Sequence, residues 1–317
     1  MEAIGLFDGL TDEERAIANA ALKPYVIGAG EELLREGEAD RSLLIVVDGE
    51  LMISLGDVEL GRVGVGDVVG EMALFGTFDR RSATVTSTVG PTRLLILDED
   101  ALRFLRVQAN PMVRNLEAFA LTSLFARVQA MEGRIAGMLD PEPIPTPSLL
   151  GRLAGVFGLP PAPEVVAVLR LVPGFASRDA GILGKLASRL TLNAIPKGRA
   201  VTSRGEDTTD AFMVATGSFG VWHPGPEDYP TLSATLAPGQ LCGRVGSAME
   251  TVSICTTVAL EPSWVVTFPA EVTQELEADA TPEAVAYRRG MIDALATQLR
   301  LMNEQFLATV LRSAEPA

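Results

Sequence analysis

One acidic and one basic side chain bracket a mostly uncharged stretch, GEMALFGTFDRRSATV (70–85). An ionised carboxylate only accepts hydrogen bonds, so Glu71 suits a hydroxyl donor and would repel an anion. A guanidinium donates charge-assisted bonds and can hold a phosphate through two parallel N–H groups, so Arg81 suits an anion. The two residues therefore predict a site for a molecule that carries both a hydroxyl and a phosphate.

The backbone of the same stretch supports this interpretation. Gly70 lacks a side chain and lets the backbone approach a ligand closely. The residues MALF (72–75) predict one helical turn, whose first N–H groups have no partner within the helix and attract a phosphate. The stretch thus predicts a cradle for a ribose phosphate. The alternative is that Glu71 and Arg81 form a structural ion pair with each other, which adds little net stability when buried.

The chain also repeats itself. IGAGEELLREGEADRSLLIVVDGELMI (27–53) aligns without gaps with IPKGRAVTSRGEDTTDAFMVATGSFGV (195–221). The matched residues are all 168 positions apart: Phe7 and Phe175, Gly30 and Gly198, Gly37 and Gly205, Glu38 and Glu206, Gly49 and Gly217. Two copies of one domain explain this pattern. The alternative is two unrelated β-rich stretches with similarly placed glycines.

Each copy begins with a short helix and continues in short, apolar strands that glycines separate. This pattern predicts an antiparallel barrel or sandwich. The fold class is therefore mainly β with α, with two jelly-roll-like antiparallel β-barrels joined and flanked by helices. The predicted domains are 1–139, a Pro-rich linker at 140–163, a second domain at 164–272 and a C-terminal helix within 273–317.

The opening stretch resembles the phosphate-binding cassette of the cyclic nucleotide-binding domain family. That family's pattern is Gly-Glu-hydrophobic-Ala/Gly-Leu, a variable loop, and then Arg-small-Ala-Thr-Val. Residues 70–74 and 81–85 match it, and VDGE (47–50) and GVGD (64–67) match the family's turns. The resemblance covers about residues 5–139.

The resemblance implies that Glu71 binds the ribose 2′-hydroxyl and that Arg81 and Ser82 bind the cyclic phosphate. It also implies an apolar wall for base and sugar, while Arg80 falls outside the motif spacing. The implied ligand-binding residues are Gly70, Glu71, Met72, Ala73, Arg81, Ser82, Ala83, Leu60 and Val63. The implied ligand is cyclic AMP (cAMP) or cyclic GMP (cGMP). In the family a threonine directly after the arginine tends to accompany cGMP and an alanine cAMP; Ser82 lies between the two, and we favour cAMP. Thr122 and Ser123 are the candidates for capping the base.

The second copy departs from this chemistry. After an inserted hairpin whose tip is HPGPEDYP (223–230), the matched positions are 173 apart. On that spacing Glu71 corresponds to Arg244, Arg81 to Ile254, and Thr84-Val85 to Thr257-Val258. We therefore predict a site that has lost cyclic nucleotide binding, although Arg244 leaves another ligand open. Cys242 and Cys255 are predicted to be buried small residues, with a redox pair as the alternative.

Composition limits the remaining possibilities. The net charge is −15 and no Lys/Arg cluster stands out, which argues against binding of DNA or RNA polymers. Neither a membrane span nor a signal peptide is predicted, so a cytoplasmic protein is expected. His223 lies in the predicted hairpin tip without a nucleophile nearby, and no Cys/His spacing indicates a metal site. We therefore expect neither an enzyme nor a metal protein, and no cofactor besides the ligand.

Two long helices are predicted at 110–139 and 282–313. Both carry apolar residues at alternating spacings of three and four, which indicate a two-helix seam. The residues of the two seams are Leu121, Leu124, Val128, Met131, Ile135 and Met138, and Ile292, Leu295, Leu299, Met302 and Phe306. We expect a homodimer through one of these helices, or packing against the second repeat.

The predicted function is a cyclic nucleotide sensor that signals to a protein effector whose identity is open. No helix-turn-helix follows the first domain, and no inhibitor-like segment precedes it. The chain therefore departs from catabolite-activator-type regulators. It resembles the regulatory subunits of cyclic-nucleotide-dependent kinases in its tandem arrangement but departs from them at the inhibitor segment. The alternative is a ligand-free scaffold that uses both domains as interaction modules.

Overall fold

The computed structural model describes residues 5–88, 90–145, 158–246 and 252–314. Contacts divide the chain into two units, residues 1–123 and 124–317. Residues 146–157 of the predicted linker and residues 247–251 of the second cassette lie outside the described residues. The domain boundaries drawn from the sequence remain predictions.

The first unit contains two four-stranded antiparallel sheets, ordered β1-β8-β3-β6 and β2-β7-β4-β5. Its strands are β1 Lys23–Ile27, β2 Glu32–Leu34, β3 Leu43–Asp48, β4 Leu51–Leu55, β5 Val58–Val63, β6 Val68–Val69, β7 Thr84–Ser87 and β8 Thr92–Leu97. Its helices are α1 Asp12–Ala21, α2 Glu71–Phe75 and α3 Glu99–Val107, followed by α4 Met112–Ala136, which continues into the second unit.

Both sheets of the first unit contribute to one apolar core. Each of the eight described strands contributes at least one buried apolar residue to this core, and β3 and β6 are apolar along most or all of their length. The core residues are Ile27, Leu34, Leu44, Val46, Leu51, Val63, Val69, Val85 and Leu94. The predicted β-rich, jelly-roll-like fold is thus confirmed, with the described strands paired as two sheets of a sandwich rather than as one closed barrel.

The second unit repeats the arrangement with sheets β10-β15-β12-β13 and β14-β11-β16-β9. Its strands are β9 Thr191–Ile195, β10 Ala200–Thr202, β11 Ala211–Thr216, β12 Phe219–Pro224, β13 Pro230–Leu236, β14 Leu241–Gly243, β15 Thr256–Ala259 and β16 Ser263–Phe268. Its helices are α5 Val165–Leu169, α6 Pro173–Ala176, α7 Ala180–Ala187, α8 Ala270–Ala278 and α9 Pro282–Ala314, with a 3₁₀ turn at Pro226–Asp228.

Strand pairing confirms the sequence repeat. In the first unit Leu51 pairs with Ser87, and in the second Phe219 pairs with Ala259. Before the hairpin, equivalent positions are 168 apart, as in Leu51 and Phe219, and after the cassette they are 172 apart, as in Ser87 and Ala259. The two copies therefore share one strand register, and the second copy carries a net insertion between Phe219 and Ala259.

The two predicted seams are buried within a single chain. Along α4 and α9 the seam residues within the helices are at most 5% exposed, whereas Met138 follows the end of α4 and is exposed. The Arg134 guanidinium of α4 stacks on the Phe306 ring of α9, with 4.2 Å between its central carbon and the ring centroid. The spacing of apolar residues therefore reflects packing inside the chain, and the homodimer remains a prediction.

In the described ranges, none of the helices combines the length and the apolar composition that crossing a bilayer requires.

A close helix contact in the second unit provides a stability prediction. A Cβ at Gly290 of α9 would come within 2.2 Å of the fully buried Phe175 ring of α6. Gly290→Ala is therefore expected to destabilise the chain by about 1–3 kcal/mol through overpacking. Gly184→Ala in α7 is the control, because a Cβ there meets nothing within 4 Å. Urea unfolding measures both variants, and equal stability of the two would contradict this packing.

Candidate functional site

The Arg81 side chain is buried in the first unit, directly before β7. Its side chain is 3% exposed and forms an ion pair with Asp40. Nη2 also donates to the Ser42 carbonyl oxygen at 2.7 Å and to Ser42 Oγ at 3.0 Å, and Nη1 lies 3.5 Å from the Gly70 carbonyl oxygen. The described contacts thus pair Arg81 with Asp40, in place of the Glu71–Arg81 ion pair that was the sequence alternative.

One N–H group of the Arg81 guanidinium lacks a hydrogen-bond partner among the described residues. This group is the buried Nε–H. A buried donor without a partner costs about 1–3 kcal/mol, and more when it is charged. The site therefore holds a cation with spare donor capacity, which suits an anionic ligand.

Asp40 supplies the negative charge next to this cation. Its side chain is 45% exposed, so it reaches the guanidinium from the solvent side. Burial alone would raise the pKa of Asp40, but hydrogen bonds from Arg81 and Ser42 and the charge of Arg81 outweigh it and lower the pKa. Asp40 is therefore ionised when Arg81 is paired with it.

The helical turn predicted at 72–75 is present and begins one residue earlier. Helix α2 has all five residues buried, including Glu71, which is 1% exposed. Gly70 precedes it with φ 96°, a left-handed conformation that favours glycine. A Cβ at Gly70 would also come within 2.4 Å of the Ser42 carbonyl oxygen and 2.7 Å of Arg81 Nη1. Glycine at position 70 is thus required both by the backbone angle and by the space that Arg81 occupies.

The structure places the other predicted residues on neighbouring elements. Met72 and Ala73 lie in α2, and Ser82 Oγ lies 3.5 Å from Met72 Sδ. Leu60 and Val63 are buried in β5, where Val63 belongs to the apolar core. Gly70, Met72, Arg81 and Ser82 are therefore in one cluster.

The residues around Arg81 come partly from the cassette and partly from a distant loop. Ala83 directly precedes β7, as the motif requires, and Arg80 is exposed and donates to the Gly37 carbonyl oxygen at 2.7 Å. Asp40 and Ser42, in contrast, come from the loop before β3, about forty residues upstream. The only sequence signal is a polar run, GEADRS (37–42), directly before an apolar strand.

The second copy keeps the backbone of this site. Gly243 has φ 86°, and a Cβ there would meet the Asp210 carbonyl oxygen at 2.5 Å, as one at Gly70 would meet that of Ser42. The positions Ser42 and Asp210 are 168 apart, and Gly70 and Gly243 are 173 apart. The start of the cassette therefore has the predicted alignment.

The end of the second cassette corrects the sequence alignment. Gly37 N donates to the Arg81 carbonyl oxygen at 2.9 Å, and its counterpart Gly205 N donates to the Ser253 carbonyl oxygen at 2.8 Å. Ser253, not Ile254, thus occupies the Arg81 position. By the same register Thr84-Val85 correspond to Thr256-Thr257 rather than Thr257-Val258. The second cassette is one residue shorter, and the position of the guanidinium holds a neutral side chain.

His223 is not in the hairpin tip. It lies in β12, is 3% exposed, and its Nε2 is 3.0 Å from Glu132 Oε2 of α4. Cys255 lies beside them, and the three ligand atoms are within 4.8 Å of one another. Sequence reasoning missed this cluster because its members are 91 and 32 residues apart and share no motif spacing.

Both cysteines are buried and free. Burial raises the pKa of Cys255 to about 12, with the charge of Glu132 adding to the shift. The pKa of Cys242 is also raised, first by burial and then by the charges of Cys255 and Glu132. The expected burial is thus confirmed, and both thiols are protonated at neutral pH.

Comparison with known proteins identifies the family. The model of the cyclic nucleotide-binding domain matches residues 26–108 and 192–279, together more than half of the chain. The chain therefore belongs to the cyclic nucleotide-binding domain family and carries the domain twice.

Individual relatives cover parts of the chain. It is 32% identical over 112 residues to a cGMP-dependent protein kinase of Eimeria tenella, covering 35% of this chain and 11% of the kinase. It is 31% identical over 113 residues to a cGMP-dependent protein kinase of Plasmodium berghei, covering 35% of this chain and 13% of the kinase. The chain thus spans only a small part of these relatives.

Among solved structures, the chain is similar to the regulatory domain of Toxoplasma gondii PKA with cAMP. The two share 21% identity over 85% of this chain and 86% of that one, with a TM-score of 0.32.

The Asp40–Arg81 ion pair gives a prediction of pH dependence. Because the folded-state pKa of Asp40 lies below its ordinary 3.8, its contribution is fully present above that value and is lost as pH falls through the lowered pKa. The difference in unfolding free energy between wild type and Asp40→Asn should be constant from about pH 7 to pH 5 and shrink below about pH 4.

Urea unfolding at several pH values measures this difference. Asp48→Asn is the control, because Asp48 pairs with Arg93 at an exposed position and such pairs contribute little. A difference for Asp40→Asn that is unchanged or grows in acid would contradict the role given to Asp40.

Proposed function

We propose that the first unit binds a cyclic mononucleotide, with cAMP favoured over cGMP, and that binding is signalled to a protein effector. The observation that carries the proposal is the buried Arg81 guanidinium, whose Nε lacks a partner among the described residues. A cyclic phosphate carries one negative charge and offers several acceptor oxygens. It would satisfy the spare donor and neutralise the cation at once.

The neighbouring groups support a sugar phosphate rather than a simple anion. Glu71, at the first turn of α2, places a buried carboxyl group on the same loop-helix element as Gly70. We propose that Glu71 accepts a hydrogen bond from the ribose 2′-hydroxyl, and that Ser82 donates to the phosphate. The backbone N–H groups near Gly70, Met72, Ala73 and Ala83, and the apolar side chains of Leu60 and Val63, complete the proposed site.

Asp40 gives the proposed site two electrostatic states. Without ligand, Asp40 neutralises Arg81, and with ligand the phosphate takes over that role. Since Asp40 is half exposed, it can turn to water at small cost once the phosphate has bound. The loop before β3 would then differ between the two states, and such a difference is what a ligand needs to shift a conformational equilibrium.

The choice of base rests on fewer observations. Ser82 places a hydroxyl next to Arg81 and stands between the threonine that tends to accompany cGMP in the family and the alanine that tends to accompany cAMP, and we favour cAMP. The Thr122 hydroxyl donates back to the Ala118 carbonyl oxygen of its own helix at 3.4 Å, so base capping by Thr122 or Ser123 remains a prediction. The effector, the homodimer and the cytoplasmic location also remain predictions.

A ligand-free scaffold is the second candidate function. The second unit favours it, because Ser253 stands where Arg81 stands in the first unit. We propose that the second unit does not bind a cyclic nucleotide and that the whole chain therefore binds one nucleotide.

Calorimetry with cAMP and cGMP tests the proposal on wild type, Arg81→Lys and Arg80→Lys. Lysine keeps the charge but loses the fork of donors, so Arg81→Lys should weaken binding by about 10- to 100-fold. Arg80→Lys is the matched control, because Arg80 is exposed and, among the described residues, its guanidinium donates to the Gly37 carbonyl oxygen. It should bind within about twofold of wild type.

Thermal unfolding of each variant shows whether it is folded before binding is compared. Wild type that gives no heat with either nucleotide would support the scaffold. Equal affinity of wild type and Arg81→Lys would place the ligand elsewhere.

A further inference from the structure

Three side chains of different ligating chemistry meet inside the second unit. Glu132 comes from the last turns of α4, His223 from β12, and Cys255 directly precedes β15. They are 4%, 3% and 9% exposed, and one carboxylate oxygen, one imidazole nitrogen and the thiol sulfur lie within 4.8 Å of one another. Such a grouping of buried polar side chains is costly unless something stabilises it.

The hydrogen bond between Glu132 and His223 accounts for only part of the cluster. Nε2 and Oε2 are 3.0 Å apart, which joins two of the three residues. A thiol is a weak hydrogen-bonding group and gains little from lying against them. A carboxylate, an imidazole and a sulfur are, however, the three side-chain types that bind zinc, and here one atom of each lies within 4.8 Å of the other two.

We infer that Glu132, His223 and Cys255 form a binding site for a zinc ion. The mixed oxygen, nitrogen and sulfur donors fit a borderline-soft divalent metal, whereas Mg²⁺ and Ca²⁺ take oxygen donors. Three protein ligands leave one tetrahedral position for water or another ligand. The ligand atoms need only a small contraction, since two atoms bound to one zinc ion are about 3–4 Å apart given bond lengths near 2.0–2.3 Å.

Charge balance supports this assignment. Metal binding breaks the S–H bond of Cys255, a zinc–sulfur bond forms, and the proton leaves to solvent. The thiolate and the Glu132 carboxylate then carry two negative charges, and neutral His223 carries none. Together with Zn²⁺ the site is neutral, which suits its burial because no net charge is left in the interior.

The position of Cys255 relates the zinc site to the repeat. In the register that aligns Ser87 with Ala259, Cys255 stands where Ala83 stands in the first unit. The second cassette therefore has a thiol at its end and lacks the guanidinium. A zinc ion bound there would link the C-terminal half of α4 to strand β12 and to the residue that precedes β15 in the second unit.

Cobalt substitution tests the site on the full chain. Co²⁺ bound to a thiolate gives a charge-transfer band in the near ultraviolet, and four-coordinate Co²⁺ gives strong visible bands. Wild type should show both with one Co²⁺ per chain, and Zn²⁺ should displace them. Cys255→Ser should lose the near-ultraviolet band, and Glu132→Gln should weaken metal binding at least about tenfold.

Cys242→Ser is the matched control, because Cys242 is equally buried and free but does not belong to the cluster. It should keep both sets of bands, and circular dichroism should show that every variant is folded. Wild type without a thiolate band would overturn the inference, as the Glu132–His223 pair would then be a hydrogen bond alone. Loss of the band in Cys242→Ser but not in Cys255→Ser would overturn it too.

Discussion

A buried guanidinium sets the conditions for the first unit. Arg81 needs acceptors and a counter-charge in the interior, and the loop before β3 supplies both through Ser42 and Asp40. The same guanidinium leaves no room for a side chain at position 70, so the turn into α2 must be glycine. Because an ion pair with one half-exposed partner adds little net stability, we take its role to be fixing one arrangement of loop, turn and strand around the proposed anion site.

The second unit shows that the fold does not depend on this interaction. Its strands keep the register of the first unit, and Gly243 keeps the backbone conformation of Gly70. Yet Ser253 stands in place of the guanidinium. The two units thus share one fold but differ in the side chain at the Arg81 position. This agrees with the general rule that sites rather than folds carry function.

Much of this architecture could be predicted from the sequence. The paired glycines revealed the repeat because each turn needs the same backbone angle, and the motif around Arg81 placed the cassette. The spacing of apolar residues located α4 and α9, but it did not show what covers them. Burial of the seam residues inside one chain is a tertiary result, and apolar spacing alone does not distinguish it from a dimer interface.

Other features could not be predicted, for physical reasons. Asp40 precedes β3 and Arg81 precedes β7, and these strands belong to different sheets, so no local pattern links the two residues. The one-residue shortening of the second cassette was hidden by the repeated threonines at 256 and 257, which align almost equally well in two registers. Glu132, His223 and Cys255 are brought together only by the packing of α4 against the second unit's own strands.

The most direct test of the account is a crystal structure of the full chain with cAMP. We expect a phosphate oxygen within hydrogen-bond distance of Arg81 Nε, with Asp40 moved away from the guanidinium and Glu71 at the ribose 2′-hydroxyl. A bound nucleotide that leaves the Asp40–Arg81 ion pair intact and Nε of Arg81 without a partner would contradict it.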